Sequence, residues 1–459
     1  MDTKAPHQQP ESKPRQGTLF DLPESDPPTS APAKPAASGI PRLRRANRHQ
    51  VTFRALALDQ MLPEDHQARL VWEYVEGLDF TPLYGRIQAV EGRAGRNATD
   101  PRILMALWLY ATLQSVGSAR ELDRLCEYHL AYQWICGDVP MNYHSLSDFR
   151  TDHAEFLDKL LAESVAVLMN EGLVELKRVA QDGMRVRASA GAASFRRGQT
   201  LQECLKEAEE HVASLRGELE ADPAATTKRQ QAARQRAARE RTERIKKALE
   251  QLPEVEAKKK PKDRKKARVS TTDPEARVMK MADGGYRPAY NVEYATDTAS
   301  QVITGVEVVN SGSDQGQLAP MVEQHEERYG QEPDEMLVDG GFAKKEDITE
   351  VSPPKGNTLV YAPVQKSKDK NRDPHTPRGD DSPAVAEWRQ RMATSEAKEI
   401  YKERAATAEC VNAIARNRGF WWFRVRGLFK ARCVALWHAL AHNLMRAVVL
   451  RAEVAIITG

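Results

Sequence analysis

The chain has 459 residues, 41% of them hydrophobic, and a formal net charge of +3. That length provides for two or three domains and a large core, and the near-neutral balance means that any nucleic-acid contact must come from local Lys and Arg patches. Cys126, Cys136, Cys204, Cys410 and Cys433 show neither CxxC spacing nor a paired framework, which argues against a zinc module and fits a reducing cytoplasm.

Residues 1–45 are rich in Pro, Ser, Ala and Lys and read as a disordered tail, not a signal peptide. The stretch "PRLRRANRHQ" at its end is basic, either a solvated tail or an arm that touches DNA. Residues 46–175 read as helical, because "LDQMLPEDHQARLVWEYVEGL" and "DPRILMALWLYATLQSVGSARELDRLCEYHLAYQWICG" repeat apolar residues at i, i+3, i+4 and i+7. Asp100-Pro101 marks a helix start, and Ser145 with Asp148 has the spacing of a capping box. Such helices form either a plain bundle or a helix-turn-helix that enters a major groove.

Near residue 176 the period changes, and "LKRVAQDGMRVRASA" reads as strand, turn, strand, within a first α/β segment at 176–198. Residues 199–268 read as a charged insertion, an antiparallel helical hairpin broken at Asp222-Pro223 and followed by the basic run "KKKPKDRKKAR". Over 269–364 the α/β pattern resumes: a hairpin in "AYNVEYATDTASQVITGVEVVNSG", a helix in "QLAPMVEQHEERYG", a buried strand in "EMLVDGGF", a helix and a strand in "NTLVYAPV". A polar insertion at 365–387 precedes helices over 388–459, one from Trp388 to Asn417 and one over roughly 428–452. The last of these contains His438, His442, Asn443 and Arg446, so it suits a core better than a membrane. The class is α/β: a mixed sheet with flanking helices, preceded by an all-helical domain and interrupted by a helical-hairpin insertion.

Asp283 in "ADGGYRP" and Asp297 in "YATDTAS" read as turn residues. Asp182-Gly183 has the same turn reading, but Asp182 also stands in "VAQDGMRV" at a strand end. Asp339 follows a buried run in "MLVDGGFAKKED", where it either opens a tight turn or serves a metal site. Glycine after each aspartate leaves room for an approaching backbone. Glu409 lies on a helix, and at 100° per residue Tyr401, Arg404, Glu409, Asn412 and Arg416 share half of the wheel. Carboxylates from separate elements suit Mg2+, and two such ions about 4 Å apart can clamp the attacking and leaving oxygens of a displacement at phosphorus. Cations beside a carboxylate suit a phosphate substrate, although a solvated helix face has the same pattern. In "GFWWFRVRGLFKARC" the arginines Arg424 and Arg426 suit DNA, while Trp421 and Trp422 are expected in the core.

Together and in this order, "VAQDGMRVRASA", "LVDGGF" and "YKERAATAECVNAIARNRGF" resemble the three catalytic segments of bacterial insertion-sequence transposases of the DDE class. "DPRILMALWLYA", "GSARELDRLC" and "HSLSDFRTDH" resemble that family's helical N-terminal domain, and "STTDPEARVMK" with "AYNVEYATDT" its link to the second strand. The resemblance spans roughly residues 50–450. It implies a ribonuclease H-like core and a DNA transposase that cleaves transposon ends and joins them to target DNA. It implies two Mg2+ ions per site, with Mn2+ able to substitute, held by Asp182, Asp339 and Glu409. Tyr401, Arg404 and Arg416 match accessory DNA-contacting positions, with Arg416 in place of the usual Lys and Phe342 in place of a frequent Tyr. The implied partners are terminal inverted repeats, target DNA and at least a second protomer in the synaptic complex, with no membrane and a location on the bacterial nucleoid in the cytoplasm. Two other readings keep part of this: a metal-dependent nuclease without strand transfer, and an inactive, transposase-derived DNA-binding protein.

Overall fold

In a computed structural model the described residues are 57–90, 97–221, 228–366 and 372–458. The chain divides into two units, Met1–Ala55 and Leu56–Gly459, and the described residues belong to the second. The tail expected over 1–45, its basic end and the Asp222-Pro223 break lie outside the described residues.

The 3.6-residue apolar period of the first part becomes helices α1 (Gln67–Glu76), α2 (Thr81–Tyr84), α3 (Pro101–Leu113), α4 (Ala119–Tyr128), α5 (Leu130–Cys136), α6 (Tyr143–Thr151) and α7 (Ala154–Asn170). At α3 the Asp100 side chain accepts the Arg102 N–H, and Pro101 takes the first helical position as expected. This helix is apolar all round and is therefore buried on nearly every side. The start of α6 corrects the expected capping box. Asn142, three residues before Ser145, accepts the N–H groups of His144 and Ser145. Asn caps as well as Ser does, and its earlier place leaves Ser145 inside the first turn.

The sheet begins with β1 (Arg178–Arg187). It continues with β4 (Arg277–Lys280), β5 (Tyr286–Asp297), β6 (Ile303–Val309), β7 (Glu335–Leu337) and β8 (Leu359–Tyr361), while β2 (Phe195–Arg196) and β3 (Val269–Ser270) form a separate ribbon. The order is β4-β5-β1-β7-β8, with β6 also pairing β5. β1 is antiparallel to β5 and parallel to β7, which is parallel to β8. This mixed sheet with helices on its faces is ribonuclease H-like. β1 runs unbroken through Asp182-Gly183, so the expected turn is absent. Residues Val179 to Arg187 all pair with β5, and that long ladder outweighs the local turn preference of Asp-Gly. The β5–β6 hairpin forms as expected, turned at Asp297, whose carboxylate accepts the Ser300 N–H.

The insertion between β1 and β5 folds as two antiparallel helices, α8 (Gly198–Ala221) and α9 (Lys228–Ala257), with Glu209 3.6 Å from Lys246. Leu201, Ala248 and Leu252 form a small core with Ala267 and Val269 at its base. After α10 (Leu318–Tyr329), α11 (Lys345–Val351) and α12 (Pro383–Arg391), the helix expected from Trp388 to Asn417 proves to be several. Thr394 caps a restart by accepting the Ala397 N–H, giving α13 (Ser395–Arg404). A π-helical turn (Ala405–Glu409) leads into α14 (Cys410–Asn417), and α15 (Leu428–Thr458) closes the fold.

Among the described residues α15 is the one helix long and apolar enough to cross a membrane, yet 67% of its apolar window is buried in the fold. Its polar residues explain why. Asn443 bonds both the N–H and the C=O of Ile303, and His442 Nε2 lies 2.8 Å from the Gln301 carbonyl. One core joins α3, α15 and the sheet face of Met184, Val292 and Tyr294; a second, on Val179, Met336 and Val360, lies under Phe342 and Trp388.

Candidate active site

Strand register brings two aspartates side by side. Val179 pairs with Met336 and Ala180 with Leu337 in parallel. Two residues beyond that last pair stand Asp182 and Asp339, near enough for the charge of Asp339 to act on Asp182. Adjacent strands lie about 4.8 Å apart. β7 ends at Leu337, and Asp339 opens a tight turn in which its Oδ1 accepts the Gly341 N–H at 2.6 Å. The aspartate of "LVDGGF" thus starts a turn and presents a carboxylate beside Asp182. Gly183 and Gly341 clear space for neighbouring side chains, whereas a Cβ at Gly340 would meet only Pro363, at 3.7 Å. A Cβ at Gly183 would lie 2.8 Å from Asn291 Nδ2 and Asp314 Oδ1, and one at Gly341 would lie 2.8 Å from Asp339 Oδ1.

Glu409 arrives through a change of helix pitch. Residues five apart on an α-helix point about 140° away from each other, whereas a π-turn brings them onto one face. The turn Ala405–Glu409 does this for Arg404 and Glu409. Arg404 Nη2 is 3.2 Å from Glu409 Oε1, and Nη1 is 3.6 Å from Asp182 Oδ1. One guanidinium therefore bridges two of the three predicted carboxylates, with the Tyr401 ring centroid 6.0 Å from its carbon. Asn412, buried on α14, donates to Asp182 Oδ2 at 3.0 Å. Burial raises the Asp182 carboxyl to about 6; the negative charges of Asp339 and Asp314 add to this, while Arg404 and Asn412 oppose it.

Two acidic residues escaped the sequence reading. On the opposite face of β1 and β5, Glu293 is fully buried, and Asn291 Nδ2 donates to Glu293 Oε1 at 2.6 Å and to Asp314 Oδ1 at 2.7 Å. Burial carries the Glu293 carboxyl well above the usual range, reinforced by Asp314. The signal was present in "YNVEYATD", where Asn291 and Glu293 alternate with Tyr290, Val292 and Tyr294. Asp314, in the polar loop "NSGSDQG", carries no such signal.

All of these donors are oxygens, the set that suits Mg2+ or Mn2+. Among the described residues, no three His, Cys, Asp or Glu side chains stand close enough together to hold an ion. Asp339 lies near Asp182, and the third predicted member, Glu409, is engaged by Arg404. Arg404 Nη1 and Asn412 Oδ1 are buried without a hydrogen-bond partner beside Asp182, so the site retains polar capacity that its own residues leave unused.

Arg416, Arg424 and Arg426 are exposed, and Arg426 Nε donates to the Ser189 carbonyl at 3.3 Å. The core place expected for Trp421 and Trp422 goes instead to Phe420 and Phe423, which are 1% and 0% exposed against 52% and 39% for the tryptophans. The segment pairs with the end of β1 through Arg187 N–H to Trp421 O and Phe423 N–H to Arg187 O, which fixes Phe423 inward.

Two family models match the chain. One, described as Transposase domain (DUF772), covers residues 56–152. The other, Transposase DDE domain, covers residues 254–444, which include Asp339, Arg404, Glu409 and Arg416. Asp182 lies in the stretch between them. No curated protein and no solved structure matches. The helical region and the α/β core thus fall, in order, to two transposase families, and the chain belongs to the insertion-sequence transposases of the DDE class, enzymes that act on DNA and use divalent metal ions.

Proposed function

We propose that this transposase cuts DNA at the ends of its element and joins those ends to target DNA, with Asp182, Asp339 and Glu409 as the catalytic and metal-holding acids. The observation that carries the reading is the nearness of Asp339 to Asp182, each two residues beyond the last parallel β1–β7 pair, with Arg404 linking Asp182 to Glu409. Two Mg2+ or Mn2+ ions held there would act as Lewis acids on phosphate oxygens. The chain's own residues do the positioning. Asn412 fixes the Asp182 carboxylate, the Gly341 N–H fixes that of Asp339, and Tyr401 supports Arg404. Arg404 balances the acids, and its Nη1, ion-paired with Asp182 at 3.6 Å but without a hydrogen bond, is offered to a phosphate oxygen. Arg416, Arg424 and Arg426 meet the DNA backbone.

Two successive displacements at phosphorus suffice. Water attacks a phosphodiester at the element end and releases a 3′-OH, and that 3′-OH attacks a phosphodiester of the target. Each step forms one P–O bond and breaks one, so no protein–DNA covalent bond is needed. The helical region within residues 46–175 recognises the ends, and pairing two ends takes at least two protomers. The work is done on nucleoid DNA in the bacterial cytoplasm.

Asp182→Asn, Asp339→Asn and Glu409→Gln are each expected to abolish Mg2+-dependent strand cleavage while end binding persists. Cleavage retained in any one of them removes that residue from the site. Pre-cut ends that fail to join target DNA would reduce the activity to that of a nuclease.

A further inference from the structure

A second functional feature lies where the helical region meets the segment after α14. A pocket of about 290 Å³ is lined by Arg150, Arg416, Arg418 and Arg424, by Gly117 and by the half-buried His438, and by no carboxylate. Arg150 is 8% exposed. One of its N–H groups donates to the Gly117 carbonyl at 2.6 Å, and its guanidinium carbon stands 4.6 Å from the Trp108 ring centroid. These contacts hold the side chain but do not neutralise it. Its Nε is buried without a partner, and burial together with the nearby Arg424 lowers its pKa to about 10. Burial also lowers that of Arg418. Among the described residues none of the four arginines has a carboxylate partner at salt-bridge distance. The charges converge: a Cβ on Gly117 would be 3.5 Å from Arg424 Nε and 4.0 Å from Arg150 Nη2.

A buried guanidinium with no counter-charge is costly unless an anion offsets it. A purely structural Arg150 would account for the Gly117 and Trp108 contacts, but not for the gathering of three more arginines around the same opening. Planar guanidinium groups match phosphate oxygens. Arg416 also ties the pocket to the candidate active site: it is seven residues beyond Glu409, about 10 Å along the helix.

We propose that this pocket receives a backbone phosphate of the bound DNA. Arg416 and Arg424 meet it at the mouth, and buried Arg150 meets it at the floor. It registers the strand against the carboxylates and joins the helical region to the core in one DNA contact. This rests on the reading of the protein as a DNA-cutting transposase, and its test uses binding rather than cleavage.

Gly117 provides that test, because its added Cβ would meet nothing closer than 3.5 Å. Gly117→Asp would place a fixed carboxylate among the arginines, and Gly117→Asn is the uncharged control of equal size. Binding to an element-end duplex is followed by fluorescence anisotropy over a salt series, in chelator so that nothing is cut. Gly117→Asp is expected to weaken binding about tenfold or more beyond Gly117→Asn, which adds the same bulk without charge, and to lower the slope of log K against log salt by about one relative to that control. Equal behaviour of the two variants, or an unchanged slope in Gly117→Asp, overturns the proposal. Thermal protection by inorganic phosphate that Gly117→Asp removes without any effect on DNA affinity would make this a free-anion site and overturn the DNA assignment. Absence of DNA binding by the wild type would instead count against the transposase reading itself.

Discussion

Replacing Asp182 with Asn is expected to stabilise the metal-free protein. Burial, chiefly, takes the Asp182 carboxyl from 3.8 to about 6, and its side chain is only 22% exposed. The folded state therefore holds the Asp182 proton more tightly than the unfolded chain does. The protonated form's contribution is complete below about pH 4 and is lost as pH rises through about 6. Above pH 7 the ionised group weighs against folding. The difference between 3.8 and about 6, converted at about 1.4 kcal/mol per pKa unit, comes to about 3 kcal/mol. Asparagine has the shape of the protonated acid and can still accept from Asn412. Urea unfolding in chelator should show Asp182→Asn more stable by about that amount at pH 7.5, with little difference near pH 4. Mg2+ should close the gap by stabilising only the wild type. An Asp182→Asn protein no more stable than wild type at pH 7.5 refutes the reasoning, because the carboxylate would then carry no burial cost for a cation to relieve.

Protons and metal should also compete directly at this site. With Asp182 titrating at about 6, Mn2+ affinity measured by calorimetry should fall about tenfold from pH 7.5 to pH 5, and equal affinity at the two values would exclude Asp182 as a ligand. Gly183→Ala should cost about 1–3 kcal/mol in thermal or urea unfolding, since its Cβ would overlap Asn291 and Asp314. A variant as stable as wild type would mean that this packing is looser than described.

What the sequence revealed, and what it hid, follows from the range of the interactions involved. The cap at Asp100, the β5–β6 hairpin and the polar belt of α15 are local and were legible. Asp182-Gly183 was misread because Asp-Gly is a turn signal only while nothing pairs with it; partners Tyr294 and Glu293 on β5 keep it extended. The π-turn cannot be seen in one sequence. Its extra residue shows only once α13 and α14 are each fixed by packing, and it changes which residues face Arg404. Glu293 on β5 and Asp314 in the loop after β6 meet through Asn291, a link that no local motif announces. Trp421 and Trp422 are expected in the core, yet the interior takes the phenylalanines that flank them.

The helical hairpin between β1 and β5 separates the two central partner strands by about a hundred residues, and ordinarily so long a detour would make their meeting slow and entropically unfavourable. Its base is stapled independently, by the ribbon of Phe195–Arg196 with Val269–Ser270 and by Leu201 against Ala248 and Leu252. Once that staple shuts, the excursion becomes a short span for the polypeptide searching for its sheet. The outer part of the arms is then free to lengthen, shorten or diverge without disturbing the order in which the catalytic strands find one another.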